Sequence, residues 1–288
     1  MTAGAVYAAY GIACRPAHPP LTPREAVVDG MADGTVAVVT GAARGIGRGI
    51  ALVLGEAGAT VYVTDRESRD RRHSALPGTV EDTAEQLEER GGRGIPVRVD
   101  HTDDRAVEAL FARVRDEHGG LDLLVANAFD GNALPFAGGP FWTLPLDHWR
   151  NMIDAGVRSH LVSAWHAAPL LIERKGMVVL TGYADPSAEV IAGHLFYDLA
   201  MTCVSRLARS LAHDLRPHGV TALAVSPGFT RTEAIVAELG DDLPGTDSVE
   251  FPGRAVRALL EDPEAGRHAG RTVPVADLAG EYGFTDIR

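Results

Sequence analysis

The chain has almost no lysine. Of its 27 Lys and Arg residues across 288 positions, one is lysine, Lys175, and it stands in a turn before an apolar run. Chemistry that depends on a lysine ammonium has nowhere else to find one. Cysteine is scarce too: Cys14 and Cys203 give no disulfide framework and suit a reducing, cytoplasmic setting. No apolar run approaches the roughly 20 residues that cross a bilayer, so no membrane partner is expected. Basic charge is outweighed, for a net charge of −12, which argues against a nucleic-acid partner held by a basic face. No residues group as metal ligands, so no metal is assigned. What is present is enough apolar residue, 45%, to fill one ordinary core.

Residues 1–33 read as a flexible N-terminal extension. They are small and apolar, then proline-rich, with no basic segment at the start, and Met31 directly precedes the first strand. Residues 34–288 read as a single domain in which strand and helix patterns alternate. The expected strands are 36–40, 58–65, 94–100, 121–128, 176–182, 220–228 and a last one within 271–278. The expected helices are 46–57, 80–90, 103–117, 147–171 (capped by Asp147), 196–215 and 253–260. Two loops, 129–145 and 229–250, are candidates to border a substrate. Strands apolar on both faces between amphipathic helices predict an α/β fold, a doubly wound parallel sheet in three layers.

The stretch TGAARGIG, Thr40 to Gly47, carries the first chemistry. It joins a strand to a helix through glycines at 41, 45 and 47. Such a turn lets backbone N–H groups at the helix start approach a pyrophosphate. Thr40, Gly41, Arg44, Gly45, Ile46 and Gly47 are therefore candidate cofactor contacts. Asp65 ends the second strand eighteen residues after Gly47, where a carboxylate bonds ribose hydroxyls and repels a 2′-phosphate. That favours NAD, while the adjacent Arg66 leaves NADP open.

These motifs together resemble the short-chain dehydrogenase/reductase family over residues 34 to 280. TGAARGIG fits that family's TGxxxGxG. Asp100, with His101 after it, fits the adenine contact. Asn127 and Ala128 fit the segment after strand 4. Tyr197 fits the active-site tyrosine, and Pro227, Gly228, Thr230 and Thr232 fit the motif after strand 6, with Thr232 toward the nicotinamide carboxamide. The resemblance implies a Rossmann-like fold, an NAD(P) cofactor, a small-molecule substrate, and a homodimer or homotetramer joined through the helices at 147–171 and 196–215.

The family's proton-transfer set is only partly matched. A neutral tyrosine has a pKa near ~10 and relies on a neighbouring cation to bring it down. The family's lysine falls on Met201, its serine on Gly182 and its asparagine on Gly156. Thr181 keeps a hydroxyl one position early. Tyr183 and Ser187 are other hydroxyl candidates, and His194, His160, Asp185 and Asp198 are further polar groups near the mouth. Tyr197, Thr181 and His194 are taken as the catalytic candidates. Three functions stay open: an oxidoreductase on an apolar alcohol or carbonyl, a non-redox dehydratase, isomerase or cyclase, and a silent cofactor-binding subunit.

Overall fold

A computed structural model describes residues 34–131, 138–183 and 190–286. The extension 1–33, Phe136, Asp185 and Ser187 lie outside the described residues. Seven strands among these residues form one parallel sheet: β1 (Val36–Thr40), β2 (Thr60–Asp65), β3 (Arg93–Arg98), β4 (Leu123–Ala126), β5 (Met177–Thr181), β6 (Thr221–Ser226) and β7 (Thr272–Pro274). Their order is β3-β2-β1-β4-β5-β6-β7. Val38 pairs with Tyr62 on one side and Leu124 on the other.

The strands are apolar on both faces because each face feeds a separate core. Ala37, Val39, Leu123 and Val125 point to one side, where they meet helices α1 (Gly45–Glu56), α2 (Val80–Glu89) and later α7 (Phe251–Glu261). Val36, Val38, Leu124 and Ala126 point to the other, against α3 (Asp104–His118), α4 (Ser159–Arg174) and α5 (Leu195–Leu215). This two-residue alternation produces the three layers. The chain reverses direction across the sheet between β1 and β4, so a crevice opens at their C-terminal ends. Caps bound the helices locally. The Asp103 carboxylate accepts the Arg105 N–H at 3.0 Å to start α3, and Gly119 ends it at φ +72°. A cap of this kind contributes about 1 kcal/mol. No helix of the described residues is long and apolar enough to cross a membrane.

Several boundaries differ from the sequence reading, each for a local reason. β4 stops at Ala126 because the N–H groups of Asn127 and Ala128 turn to the Thr40 hydroxyl. β3 ends at Arg98, and Asp100 instead accepts the Thr102 N–H and hydroxyl. The expected single helix at 147–171 begins as a π-helix, Trp149–Arg158, that runs into α4. Asp147 does not cap it; its carboxylate lies 3.8 Å from Arg150 on the exposed surface. The strand expected at 271–278 is three residues long, since Val275, Leu278 and Ala279 enter the core at helical spacing in α8 (Val275–Tyr282). The loop 229–250 contains a short helix, α6 (Glu233–Leu239), capped by the Thr232 hydroxyl.

Candidate active site

The glycine turn is built by steric need. A Cβ on Gly41 would stand 2.9 Å from the Ala128 Cα, and one on Gly47 would stand 2.3 Å from the Gly41 carbonyl oxygen. Asn127 then locks the strand ends together. Its amide donates to the carbonyls of Thr40 (2.9 Å) and Gly41 (3.1 Å). The Thr40 hydroxyl oxygen accepts from the Asn127 and Ala128 N–H groups at 2.8 and 2.9 Å. Thr181 closes the network by donating to Asn127 Oδ1 at 3.2 Å. The hydroxyl taken from the sequence as a catalytic candidate thus has Asn127 as its partner in this structure.

The free N–H groups at the start of α1 meet an anion supplied by the chain. Gly45 N–H donates to Glu233 Oε2 at 2.7 Å, and Glu233 Oε1 pairs with Arg48 at 3.0 Å. A carboxylate on a helix N-terminus is favoured by the partial positive charge there. Thr232 lies beside it, its methyl 3.4 Å from where a Gly45 Cβ would be. Ile46, in the first turn, packs into the core. Sequence reasoning missed Glu233. An acid at a helix start is an ordinary pattern, and its partner is 188 residues away.

Asp65 sits beside this turn. Its carboxylate accepts from the Ala43 N–H (3.3 Å) and the Glu67 N–H (3.0 Å). Burial raises its pKa, against those hydrogen bonds and the nearby Arg44. Arg66 pairs with Asp130 at 2.7 Å. The His101 ring turns inward, with Nε2 2.8 Å from the Thr64 hydroxyl, and burial pushes its pKa down to about 4. At the far wall, Gly228 follows Pro227 with φ +83°, facing Asp247, and the buried Thr230 pairs with Asp247 in a short parallel bridge.

The tyrosine end is different in character. Tyr197 is half-buried near the start of α5, and its ring stands 6.2 Å from Phe129 and 6.4 Å from Tyr183. It packs on a buried cluster of Met152, Phe196, Ala200 and Met201. Burial first, and then Tyr183, push its pKa up to about 12. The two glycines of this end are filled by apolar neighbours. A Cβ at Gly156 would stand 2.7 Å from the Phe129 ring, and one at Gly182 would stand 3.1 Å from Val204. Lys175 closes α4 at φ +52° before β5 begins, whereas Thr181 is where that strand ends. Five residues of strand separate them by about 15 Å. His194 is buried at the cap of α5, its ring against Gly138, and Asp198 accepts the Ile191 N–H at 3.1 Å. His160 places Nε2 3.1 Å from the Ala128 carbonyl oxygen, and burial holds its pKa at about 4.

Comparison with known proteins agrees with this geometry. A family model described as Enoyl-(Acyl carrier protein) reductase matches residues 41–250. Dehydrogenase/reductase SDR family member 1 of Mus musculus is 35% identical over 272 residues, covering 88% of this chain and 83% of the relative. Cyclohexanol dehydrogenase of Rhodococcus sp. (strain TK6) is 32% identical over 228 residues, covering 73% of this chain and 83% of the relative. The crystal structure of a short chain dehydrogenase from Mycobacterium thermoresistibile superposes with a TM-score of 0.77 at 25% identity, over 88% of each chain. With the parallel sheet, the glycine turn after β1 and Tyr197 on α5, these likenesses establish that the chain belongs to the short-chain dehydrogenase/reductase family of oxidoreductases.

Proposed function

We propose that this chain interconverts an apolar secondary alcohol and its ketone with NAD(H), using Tyr197 as the proton donor and acceptor. The observation that carries the cofactor reading is the Glu233 carboxylate on Gly45 N–H, a stand-in for a pyrophosphate oxygen at the start of α1. Dehydrogenases of this family generally use NAD(P), which when bound supplies or accepts the hydride. Here Thr40, Gly41, Arg44, Gly45, Ile46 and Gly47 would hold the pyrophosphate end, and Asp65 the adenosine ribose. Asp100 and the His101 backbone would border adenine. Asn127, Ala128, Pro227, Gly228, Thr230 and Thr232 would line the nicotinamide side. NAD is favoured over NADP because Asp65 faces the ribose position while Arg66 is already paired with Asp130.

The Rhodococcus relative is named for cyclohexanol, a secondary alcohol on an aliphatic ring. Phe129, Tyr183 and the exposed Phe141 and Trp142 supply an apolar setting for a substrate of that kind. Tyr197 has no ammonium at the Tyr+4 position, where Met201 is buried. The phenol therefore keeps its proton through neutral pH. Reduction, which takes that proton, is favoured over oxidation, which needs the phenolate. His194 is the second candidate for proton transfer. Met201 also favours a second reading, a cofactor-binding subunit without turnover.

One experiment separates these readings. NADH and NADPH are titrated by fluorescence, and hydride transfer is assayed against a panel of alicyclic ketones and alcohols, with wild type and Met201→Lys. Wild-type turnover with oxidation rising about tenfold per pH unit from pH 7 toward 10 is expected. In Met201→Lys the cation lowers the tyrosine pKa, so the oxidation limb shifts to lower pH. Cofactor binding with turnover in Met201→Lys alone would sink the oxidoreductase reading of the natural chain.

For assembly we propose a second copy of this chain on the outer faces of α4 and α5. The alanines at 164, 167, 200, 208 and 212 on these helices face the chain's own core. Leu161, Trp165 and Ile172 form the outward row instead, with Trp165 70% exposed. Trp165→Arg should split the oligomer in sedimentation; an unchanged sedimentation coefficient removes this face as the contact.

A further inference from the structure

The charged segment between β2 and α2 closes on the glycine turn. Gly78 makes this possible: at φ +99° it lies so near that a Cβ would stand 2.3 Å from the Ala43 carbonyl oxygen. The approach delivers three backbone carbonyls to Arg44. Arg44 Nε donates to the Pro77 oxygen at 3.0 Å, and one terminal nitrogen donates to the oxygens of Leu76 and Gly78 at 3.3 Å each. That same nitrogen is 3.4 Å from Glu67 Oε2. The Glu67 side chain is 1% exposed, and it also accepts from Arg72 Nε and from the His73 N–H, each near 3.1 Å. Burial alone would raise its pKa; the His73 N–H and the two guanidiniums hold it down, so it is ionised.

Arg44 adjoins Ala43, whose N–H donates to Asp65. An uncommitted guanidinium one residue from the carboxylate that faces the ribose 2′-oxygen is the chemistry that accepts a 2′-phosphate. Here that guanidinium is engaged through Nε and one terminal nitrogen before any cofactor arrives. Its charge is balanced by a buried carboxylate at its back. A 2′-phosphate would meet Asp65, Glu67 and Asp130, with Arg44, Arg66 and Arg72 each already paired.

We propose that Glu67, with the carbonyls of Leu76, Pro77 and Gly78, is a cofactor-specificity device that withholds Arg44 from the 2′-phosphate and so selects NADH over NADPH. The proposal rests on the NAD reading above and adds the residue that enforces it. A substitution that releases Arg44 should turn it into a ligand for the 2′-phosphate.

Equilibrium binding of NADH and NADPH to the full chain, by nucleotide fluorescence and calorimetry, tests this without any turnover assay. Wild type should bind NADH more tightly, and Arg44→Ala should change the NADPH-to-NADH Kd ratio by less than twofold. Glu67→Gln should improve NADPH relative to NADH at least tenfold, and adding Arg44→Ala should erase that gain. Gly78→Ala, which pushes the carbonyls off the turn with Glu67 intact, should move the ratio the same way. It decides the matter if Glu67→Gln does not fold. A ratio unmoved by either release variant, or an Arg44→Ala that costs wild type its NADPH binding, overturns the proposal while leaving an NADH preference standing. Wild type that prefers NADPH, or binds neither nucleotide, overturns the NAD reading and this proposal together.

Discussion

The two ends of the crevice contrast in what holds them. At the glycine-turn end almost every polar atom named above has a partner. Asn127 ties Thr40, Gly41 and Thr181; Gly45 holds Glu233; Asp65, Arg44 and Glu67 interlock. At the tyrosine end the contacts named above are mostly apolar packing. Met201 lies in a sulfur and aromatic cluster, Phe129 covers Gly156, and Val204 backs Gly182. The lesson concerns which interactions tolerate change. A hydrogen-bonded strand-end network leaves buried unsatisfied groups when one member is lost, at about 1–3 kcal/mol each. An apolar cluster accepts Met with no such loss, so side chains can change there more freely than in the hydrogen-bonded strand ends.

Tyr197→Phe probes the apolar end with the largest expected effect. Turnover should fall by about 10²–10⁴ as the proton-transfer group is lost. NADH affinity should stay within twofold, because the ring packs on the apolar cluster of Met152, Phe196, Ala200 and Met201. Fluorescence titration beside steady-state assays reads both. A variant that retains wild-type turnover removes Tyr197 from the chemistry.

The polar end has its own signature in acid. Burial holds His101 and His160 at about 4, whereas an unfolded chain takes up these protons near ~6.5. The unfolded state therefore binds more protons between those values. Stability should be complete above about pH 6.5 and fall by roughly a few kcal/mol as pH drops toward 4. Urea midpoints at several pH values measure the slope, and His101→Gln should flatten it. A midpoint constant from pH 7 to 4.5 would show that these rings titrate normally.

The smallest expected effect sharpens the boundary between the two ends. Glu233 must leave Gly45 before a pyrophosphate can sit there, so Glu233→Gln, which weakens the charge-assisted bond, should tighten NADH binding about threefold to tenfold. Calorimetry decides it; unchanged or weaker binding would mean that the carboxylate does not compete for the seat.

Much of the polar end was legible from the chain. TGAARGIG, Asp65 and Asn127 lie where local sequence dictates a turn, a strand end and a capped loop. At the tyrosine end the resemblance led the sequence reading to set Met201, Gly156 and Gly182 where it implies a lysine, an asparagine and a serine. The bond from the Thr181 hydroxyl to Asn127 was not legible, because the two residues lie 54 apart in the chain. Glu67 and Glu233 were invisible for a related reason. An acid in a charged segment reads as solvated until the fold buries it.

By itself, then, the sequence determined the order of strands and helices, the glycine turn and the near-absence of lysine. Alternating apolar residues and glycine sterics act over a few residues, so these could be read without the fold. Only the tertiary structure decided which polar groups are spent: Arg44 on Glu67 and three carbonyls, Gly45 on Glu233. Electrostatic partners are chosen by distance in space, and crossovers between parallel strands bring together residues that the chain keeps far apart.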